Sequence, residues 1–152
     1  MEKHRTLTLD YPPVWLVAFM VLAYVTGDVI EPLARTSLVL ALSFGFIGIG
    51  VALMCVAAFT MWRHKTTVIP HRYPARLVTH GVFMHSRNPI YLGDAFTLVG
   101  FSLLYGSTIG LLSVPVFMTV IWWRFIRKEE QKLKDSFAQD YEIWAKKTRR
   151  WI

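Results

Sequence analysis

Residues 95–123 read AFTLVGFSLLYGSTIGLLSVPVFMTVIWW, 29 consecutive positions without a charged side chain. A helix needs about 20 apolar residues to cross a bilayer, so the stretch is long for one crossing and tight for two. Its middle decides. Gly106-Ser107-Thr108 and Gly110 lie together there, with Pro115 beyond. Small, helix-weak residues clustered at the centre of an apolar run predict a turn. We therefore read two antiparallel helices, about 89–105 and 109–127, joined by a snug hairpin.

The flanking charges argue the same way. Before the run, Trp62–Asp94 carries Arg63, Lys65, Arg72, Arg76 and Arg87 against Asp94 alone; after it, the tail from Arg124 carries nine basic and five acidic residues. A single crossing would put these two basic segments on opposite faces of the membrane, against the positive-inside tendency, whereas a hairpin keeps both in the cytoplasm. The Asp28–Arg35 loop, with two acids and one base, then falls outside, and parity brings the N-terminus inside.

Two further uncharged runs lie upstream, Tyr11–Gly27 with 17 residues and Thr36–Trp62 with 27. Over the 152 residues, 54% are hydrophobic and 18% charged. Those proportions exclude a disordered chain, a secreted disulfide scaffold and an ordinary soluble enzyme. The net charge of +7 would suggest nucleic acid in a soluble protein; here the basic residues flank apolar runs, as orientation signals and contacts to anionic lipid do, and no nucleic-acid partner is expected. Cys55 is the single cysteine, so there is no disulfide framework. Met1–Arg5 and the following apolar stretch imitate a signal peptide, but no small-x-small cleavage site follows Val25, and an uncleaved first span is the expectation.

In the tail, Ile126, Leu133, Phe137, Tyr141 and Trp144 recur at helical spacing, with charged residues on the other faces. That pattern predicts an amphipathic helix at the membrane surface or folded over the cytoplasmic loop. The expected fold is all-α: one membrane domain over residues 1–152, with spans at about 12–28, 37–61, 89–105 and 109–127 and a cytoplasmic helix at about 128–147. The expected location is a multi-pass position with both termini cytoplasmic, in a bacterial inner membrane, with the lipid bilayer as partner.

Chemistry concentrates in LVTHGVFMHSRNPIYLG, residues 77–93. Part of it is a helix start: Asn88 is a suitable N-cap, Pro89 a natural first helical residue, and Arg87 can reach up to headgroups. That leaves Gly81, Phe83, Tyr91 and Gly93 unexplained. The second feature is Glu129-Glu130, directly after the last span. Adjacent acids in a basic tail ordinarily mark a solvated helix face; near a membrane surface they can instead hold a cationic ligand. Under the hairpin topology both features meet the same interface, and one pocket can contain them.

Other clusters read as structural. His64, His71, His80 and His85 are separated by seven, nine and five positions, without cysteines or carboxylates between them, so no metal site is expected. Gly45, Gly48 and Gly50 lie mid-span with no lysine following, which suits close helix packing better than a phosphate loop.

Taken together, Leu77-Val78-Thr79-His80-Gly81-Val82-Phe83, Ser86-Arg87-Asn88-Pro89-Ile90-Tyr91-Leu92-Gly93 and Glu129-Glu130 with Leu133, Phe137 and Tyr141 resemble the isoprenylcysteine carboxyl methyltransferase and phospholipid methyltransferase superfamily. Its pattern runs approximately LVT-x-G-x-Y, R-[HN]-P-x-Y-x-G, then E-E-x-x-L-x-x-x-F-G-x-x-Y. The resemblance covers residues from about Thr66 to Trp151. It implies S-adenosylmethionine as cofactor, held at the cytoplasmic surface between the hairpin and the C-terminal helix by Leu77, Val78, His80, Gly81, Phe83, Arg87, Asn88, Pro89, Tyr91, Glu129 and Glu130. Three positions depart from the pattern: Phe83 replaces tyrosine, Asn88 stands where the carboxyl methyltransferases carry histidine, and Ala138 stands where glycine is usual.

The function implied is transfer of a methyl group to a small or lipidic acceptor, with carboxylate, amine and thiol acceptors all open. Displacement at a sulfonium methyl needs alignment and exclusion of water more than a strong acid. Arg124 and Arg127, at the end of the last span, are candidates to hold an anionic group of the substrate, with positive-inside anchoring as their ordinary role. The rival is a non-catalytic four-span scaffold in which Asn88-Pro89 is only a helix start and the glutamates are only solvated.

Overall fold

The computed structural model describes residues 10–27, 35–66 and 74–152, and among them there are helices and no strand. Helix α1 spans Pro12–Thr26, α2 Ser37–Arg63, α3 Pro89–Leu104, α4 Thr108–Ile121 and α5 Arg127–Lys147. A π turn, Trp122–Ile126, joins α4 to α5 without a break, and a single 3-10 turn, Gly81–Met84, precedes α3. Residues 1–9, residues 28–34 of the first loop, and residues 67–73 with His71 and Arg72 lie outside the described residues.

Among the described residues, two helices are long and apolar enough to cross a membrane: α2, and the helical stretch from Thr108 to Lys147. Helices α1 and α3 are apolar but shorter. Leu38, Phe44, Ile49, Phe59 and Trp62 are all exposed along α2. An apolar surface of that extent suits lipid and not water. The protein is a membrane protein.

Helix α3 is central. On one side, α2 lies against it through small residues: a side chain at Gly93 would stand 2.6 Å from the Gly50 carbonyl oxygen, and one at Gly100 would stand 2.5 Å from that of Ser43. Backbones this close leave room for hydrogen alone. The packing glycine on α2 is therefore Gly50. Gly45 and Gly48, which the sequence placed in the same role, have open space around them. On its other side α3 meets α4 and α1 in a core of Tyr91, Ala95, Leu98, Val114, Phe117, Ile121, Phe125 and Ile126. Phe19 of α1 meets Phe117 edge to face, with ring centroids 5.4 Å apart.

The hairpin turns where its small residues predicted. Gly106 takes the positive φ of +66° that closes α3, and the Ser107 hydroxyl caps α4 by accepting from the Gly110 amide at 2.8 Å. Ser107 also bonds the Thr26 hydroxyl at 2.8 Å, tying the end of α1 to the turn. The opposite end of α1 is pinned by Asp10, which accepts two 3.0 Å hydrogen bonds from Arg124 and one of 3.2 Å from the Trp15 indole. The Arg124 guanidinium holds the Asp10 carboxyl below its usual range.

The π turn accommodates one residue more than an α-helix would, shifting every later side chain around the axis. Phe125 and Ile126 are both buried as a result, and α5 turns Leu133, Phe137, Tyr141 and Trp144 onto Val78, Phe83 and Ala57. The amphipathic helix thus folds over the loop before α3. It bends at Ala138, whose backbone stands at φ 37° and ψ −107°. The resemblance pattern has glycine at this position, and the chain adopts a glycine's conformation with an alanine.

Two outcomes follow from this packing. Gly93→Val forces α2 off α3 and lowers stability in detergent by about 2 kcal/mol or more, the scale of overpacking a tight contact; thermal unfolding measures it. Ala138→Gly relieves a strained backbone and, after the added entropy of the unfolded chain, stabilises by about 1 kcal/mol, read as a rise in the same midpoint.

Candidate functional site

A cavity of about 550 Å³ lies where the start of α1, the second half of α2, residues 74–78, the entry to α3 and α5 come together. The volume falls within the range of about 300–1,000 Å³ usual for small-molecule sites. Its walls include Leu77, Val78, Phe83, Arg87, Asn88, Pro89, Tyr91, Glu129 and Glu130. Residues far apart in sequence, Leu77–Tyr91 and Glu129-Glu130, thus line one cavity because α5 folds back over the loop before α3.

Two of the expected residues do not line the cavity. Gly81 takes φ +63° at the start of the 3-10 turn, so it shapes the backbone that carries Phe83 inward. His80 is exposed and meets His64 instead, Nε2 to Nε2 at 3.0 Å. The His64 Nδ1 bonds the Thr60 carbonyl at 2.7 Å. This pair ties the end of α2 to the loop, and among the described residues no group of three metal-ligating side chains forms.

The entry to α3 is built differently from a simple capped helix. Asn88 occupies the N-cap position and Pro89 follows as first helical residue, but the Asn88 side chain makes no cap. Its Nδ2 donates to the Arg150 carbonyl at 3.1 Å, while its own amide donates to the Ser86 hydroxyl at 3.1 Å. The Arg87 amide donates to the Arg149 carbonyl at 2.9 Å. One turn earlier, the Trp144 indole donates to the Phe83 carbonyl at 3.0 Å. The last residues of the chain thus supply polar partners to the loop that forms the cavity wall. Arg150 is the residue sequence reasoning missed; its only signal was a cation twenty positions after the glutamates, in a tail rich in cations.

The two glutamates have separate lives. Glu130 accepts two 2.9 Å hydrogen bonds from Arg150 and lies 3.5 Å from Arg87. Arg87 turns inward rather than up to headgroups, with its side chain 14% exposed and a 3.2 Å hydrogen bond donated to the Tyr141 hydroxyl. Glu130 is therefore neutralised by the fold. Glu129 accepts a 2.8 Å hydrogen bond from the Tyr91 hydroxyl and, among the described residues, forms no ion pair. Burial pushes its carboxyl above the usual range, opposed by the Tyr91 hydrogen bond and by the charge of Lys132. A half-buried carboxylate without an ion pair is costly, and this one lines a cavity.

Arg124 and Arg127 are placed elsewhere. Arg124 is held by Asp10 and lies over the Trp15 ring at 5.2 Å; Arg127 lies over Trp122 at 5.7 Å. Neither lines the cavity, whose cationic side chains are Arg76, Arg87 and Lys132.

Comparison with known proteins gives the family. Residues 36–140 match the phospholipid methyltransferase family. Probable protein-S-isoprenylcysteine O-methyltransferases of Oryza sativa subsp. indica and subsp. japonica are each 31% identical over 105 residues, covering 65% of this chain and 53% of the relative. An uncharacterized protein of Haemophilus influenzae is 32% identical over 63 residues, covering 41% of this chain and all of that protein. The chain spans about half the length of the curated plant relatives it matches. The matched segment runs from the start of α2 into α5 and takes in the cavity's lining residues from Met54 to Leu133, leaving out those that open α1 and, on α5, Tyr141 and Trp144. With more than half of its length matched, the chain belongs to the phospholipid methyltransferase family.

Proposed function

We propose that this chain is an integral-membrane methyltransferase that takes its methyl group from S-adenosylmethionine, and that the cavity at the entry to α3 is the cofactor site. The observation that carries the reading is Glu129: a half-buried carboxylate, hydrogen-bonded by Tyr91 and without an ion pair among the described residues, lining a cavity of suitable size. The cofactor carries a sulfonium and an ammonium, and either gives this carboxylate the positive charge that the fold withholds. Leu77, Val78, Phe83 and Pro89 supply apolar walls for an adenosine, and Asn88 and Arg87 supply donors beside it. His80 and Gly81 act through the backbone of the loop, and Glu130 through its hold on Arg150 and Arg87. A non-catalytic scaffold gives no reason to bury Glu129 in this way.

When bound, the cofactor would supply a methyl group activated by its sulfonium; the chain's own contribution is alignment and exclusion of water. The topology in this reading is a single domain of four crossings, by α1, α2, α3 and α4, with α5 on the cytoplasmic face and the acceptor, small or lipidic, reaching the cavity from the bilayer. Helices α1 and α3, with 15 and 16 residues, cross by being packed into the bundle. Both termini are then cytoplasmic, in a bacterial inner membrane.

Calorimetry with S-adenosylhomocysteine on protein in lipid discs tests the site. Glu129→Gln is expected to weaken binding about 30-fold or more, as loss of one member of a buried charge pair does. Glu130→Gln is expected to lower the unfolding midpoint first and binding second. A folded wild-type protein that does not bind the ligand would overturn the reading. The pH dependence has a definite sign. A cationic ligand pairs only with ionised Glu129, whose pKa is raised, so protons compete and affinity falls as pH drops through that value, approaching tenfold per unit below it. Wild-type affinity therefore declines with falling pH more steeply than that of Glu129→Gln, and the decline begins at a higher pH than an ordinary glutamate would give.

The topology has its own test. In a Cys55→Ser background, Lys65→Cys and Lys146→Cys should react with an impermeant maleimide from the same side of the membrane. Reaction from opposite sides would contradict the four-crossing arrangement.

A further inference from the structure

Histidine spacing gave no reason to expect a metal site, yet the fold brings two of the histidines together outside the cavity. His64 closes α2, and His80, sixteen positions later, stands at the head of the 3-10 turn. Their Nε2 atoms are 3.0 Å apart while their ring centroids are 4.4 Å apart, with the rings inclined at 67°. The two imidazoles therefore lean together at their Nε2 ends. On the far side of His64, Nδ1 lies 2.7 Å from the Thr60 carbonyl oxygen. A carbonyl can only accept, so Nδ1 carries the proton, and in the neutral ring Nε2 presents its lone pair to His80.

Two imidazoles meeting in this way have two uses: His80 donates its Nε2 proton to His64, or both rings offer lone pairs to a cation. The surroundings favour the cation. A backbone carbonyl holding Nδ1–H is the usual outer partner of a metal-bound histidine, fixing its tautomer and orientation. With metal–nitrogen bonds of about 2.0–2.1 Å, the 3.0 Å separation subtends about 90–100° at the ion. That angle suits neighbouring positions on an octahedral or square-planar ion better than tetrahedral zinc. His64 is also the C-cap of a 27-residue helix, whose unpaired last carbonyls favour positive charge. Arg63 and Lys65 beside it are exposed, so water screens their repulsion, and His80 is exposed enough for water to complete the coordination.

We propose that His64 and His80 form a binding site for a divalent transition ion that takes ligands at right angles, of the Ni²⁺ or Cu²⁺ kind, with water in its remaining positions. The ion staples the end of α2 to the loop before α3. Met61 and Thr66, on either side of His64, line the cavity, and so do Val78 and Phe83, on either side of His80. The staple thus fixes two walls of the cavity from outside and occupies none of it. The site stands independently of the cofactor reading.

Nickel chloride titrated calorimetrically into tag-free protein in detergent is the probe. Wild-type protein is expected to bind Ni²⁺, and His64→Gln and His80→Gln should each weaken that binding about tenfold or more. Glutamine keeps a hydrogen-bonding side chain at either half-buried or exposed position, so both variants should fold. His85→Gln, at an exposed histidine of the same loop, should bind as wild type does. At about 100 times the dissociation constant, Ni²⁺ should raise the wild-type unfolding midpoint by about 5 °C or more, and Mg²⁺, which prefers oxygen ligands, should not. Amide hydrogen exchange over residues 61–66 and 76–84 should slow when Ni²⁺ is bound. Absence of Ni²⁺ binding to wild type, or undiminished binding to folded His64→Gln and His80→Gln, overturns the site and leaves the pair as a hydrogen bond only. Binding through the two histidines without slower exchange in those segments overturns the staple.

Discussion

Arg150 grips Glu130 through two 2.9 Å hydrogen bonds, and the rest of the site depends on that grip. It fixes the last residues of the chain against α5, so that the carbonyls of Arg149 and Arg150 present themselves to Arg87, Asn88 and Ser86. The loop before α3 makes few hydrogen bonds of its own and would otherwise leave these donors in a half-buried wall without acceptors, at a cost of about 1–3 kcal/mol for each. With the clasp in place, α5 is held over the loop, Trp144 reaches the Phe83 carbonyl, and a cavity exists. A charge pair partly withdrawn from water is a poor source of stability by itself. Its value here is geometric: it decides where a flexible, cation-rich tail ends up.

The same clasp separates two residues that are identical and adjacent. Neighbouring positions on a helix point about 100° apart. Glu130 points to the returning tail and is neutralised; Glu129 points to Tyr91 and is not. A duplicated glutamate is therefore one structural anchor and one exposed demand for positive charge. The π turn upstream is what sets this rotation, because without its extra residue both side chains would lie in other directions.

Much of the architecture was legible in the sequence because hydrophobic length and turn chemistry are local properties. The uncharged runs gave the helices to within a few residues, and Gly106-Ser107 gave the turn, since small polar residues at the centre of an apolar stretch have little other use. The glycines of α2 were read only in kind. Gly45, Gly48 and Gly50 are equivalent as letters, and the choice of Gly50 as the contact depends on which face α3 approaches. Asn88 likewise was placed at the right boundary for a partly wrong reason: its side chain serves a carbonyl sixty residues away and not its own helix.

By itself the sequence determined the all-helical class of the described residues, the membrane setting and the hairpin turn, which follow from composition and short-range pattern, and it singled out two segments that line the cavity. Only the tertiary structure decided the assignments within the site. It turned Arg87 inward, gave Arg124 to Asp10, gave Glu130 to Arg150 and left Glu129 and Asp94 lining the cavity without ion pairs among the described residues. Pairing between charges depends on distance in space and on loss of water, and a linear order of residues records neither.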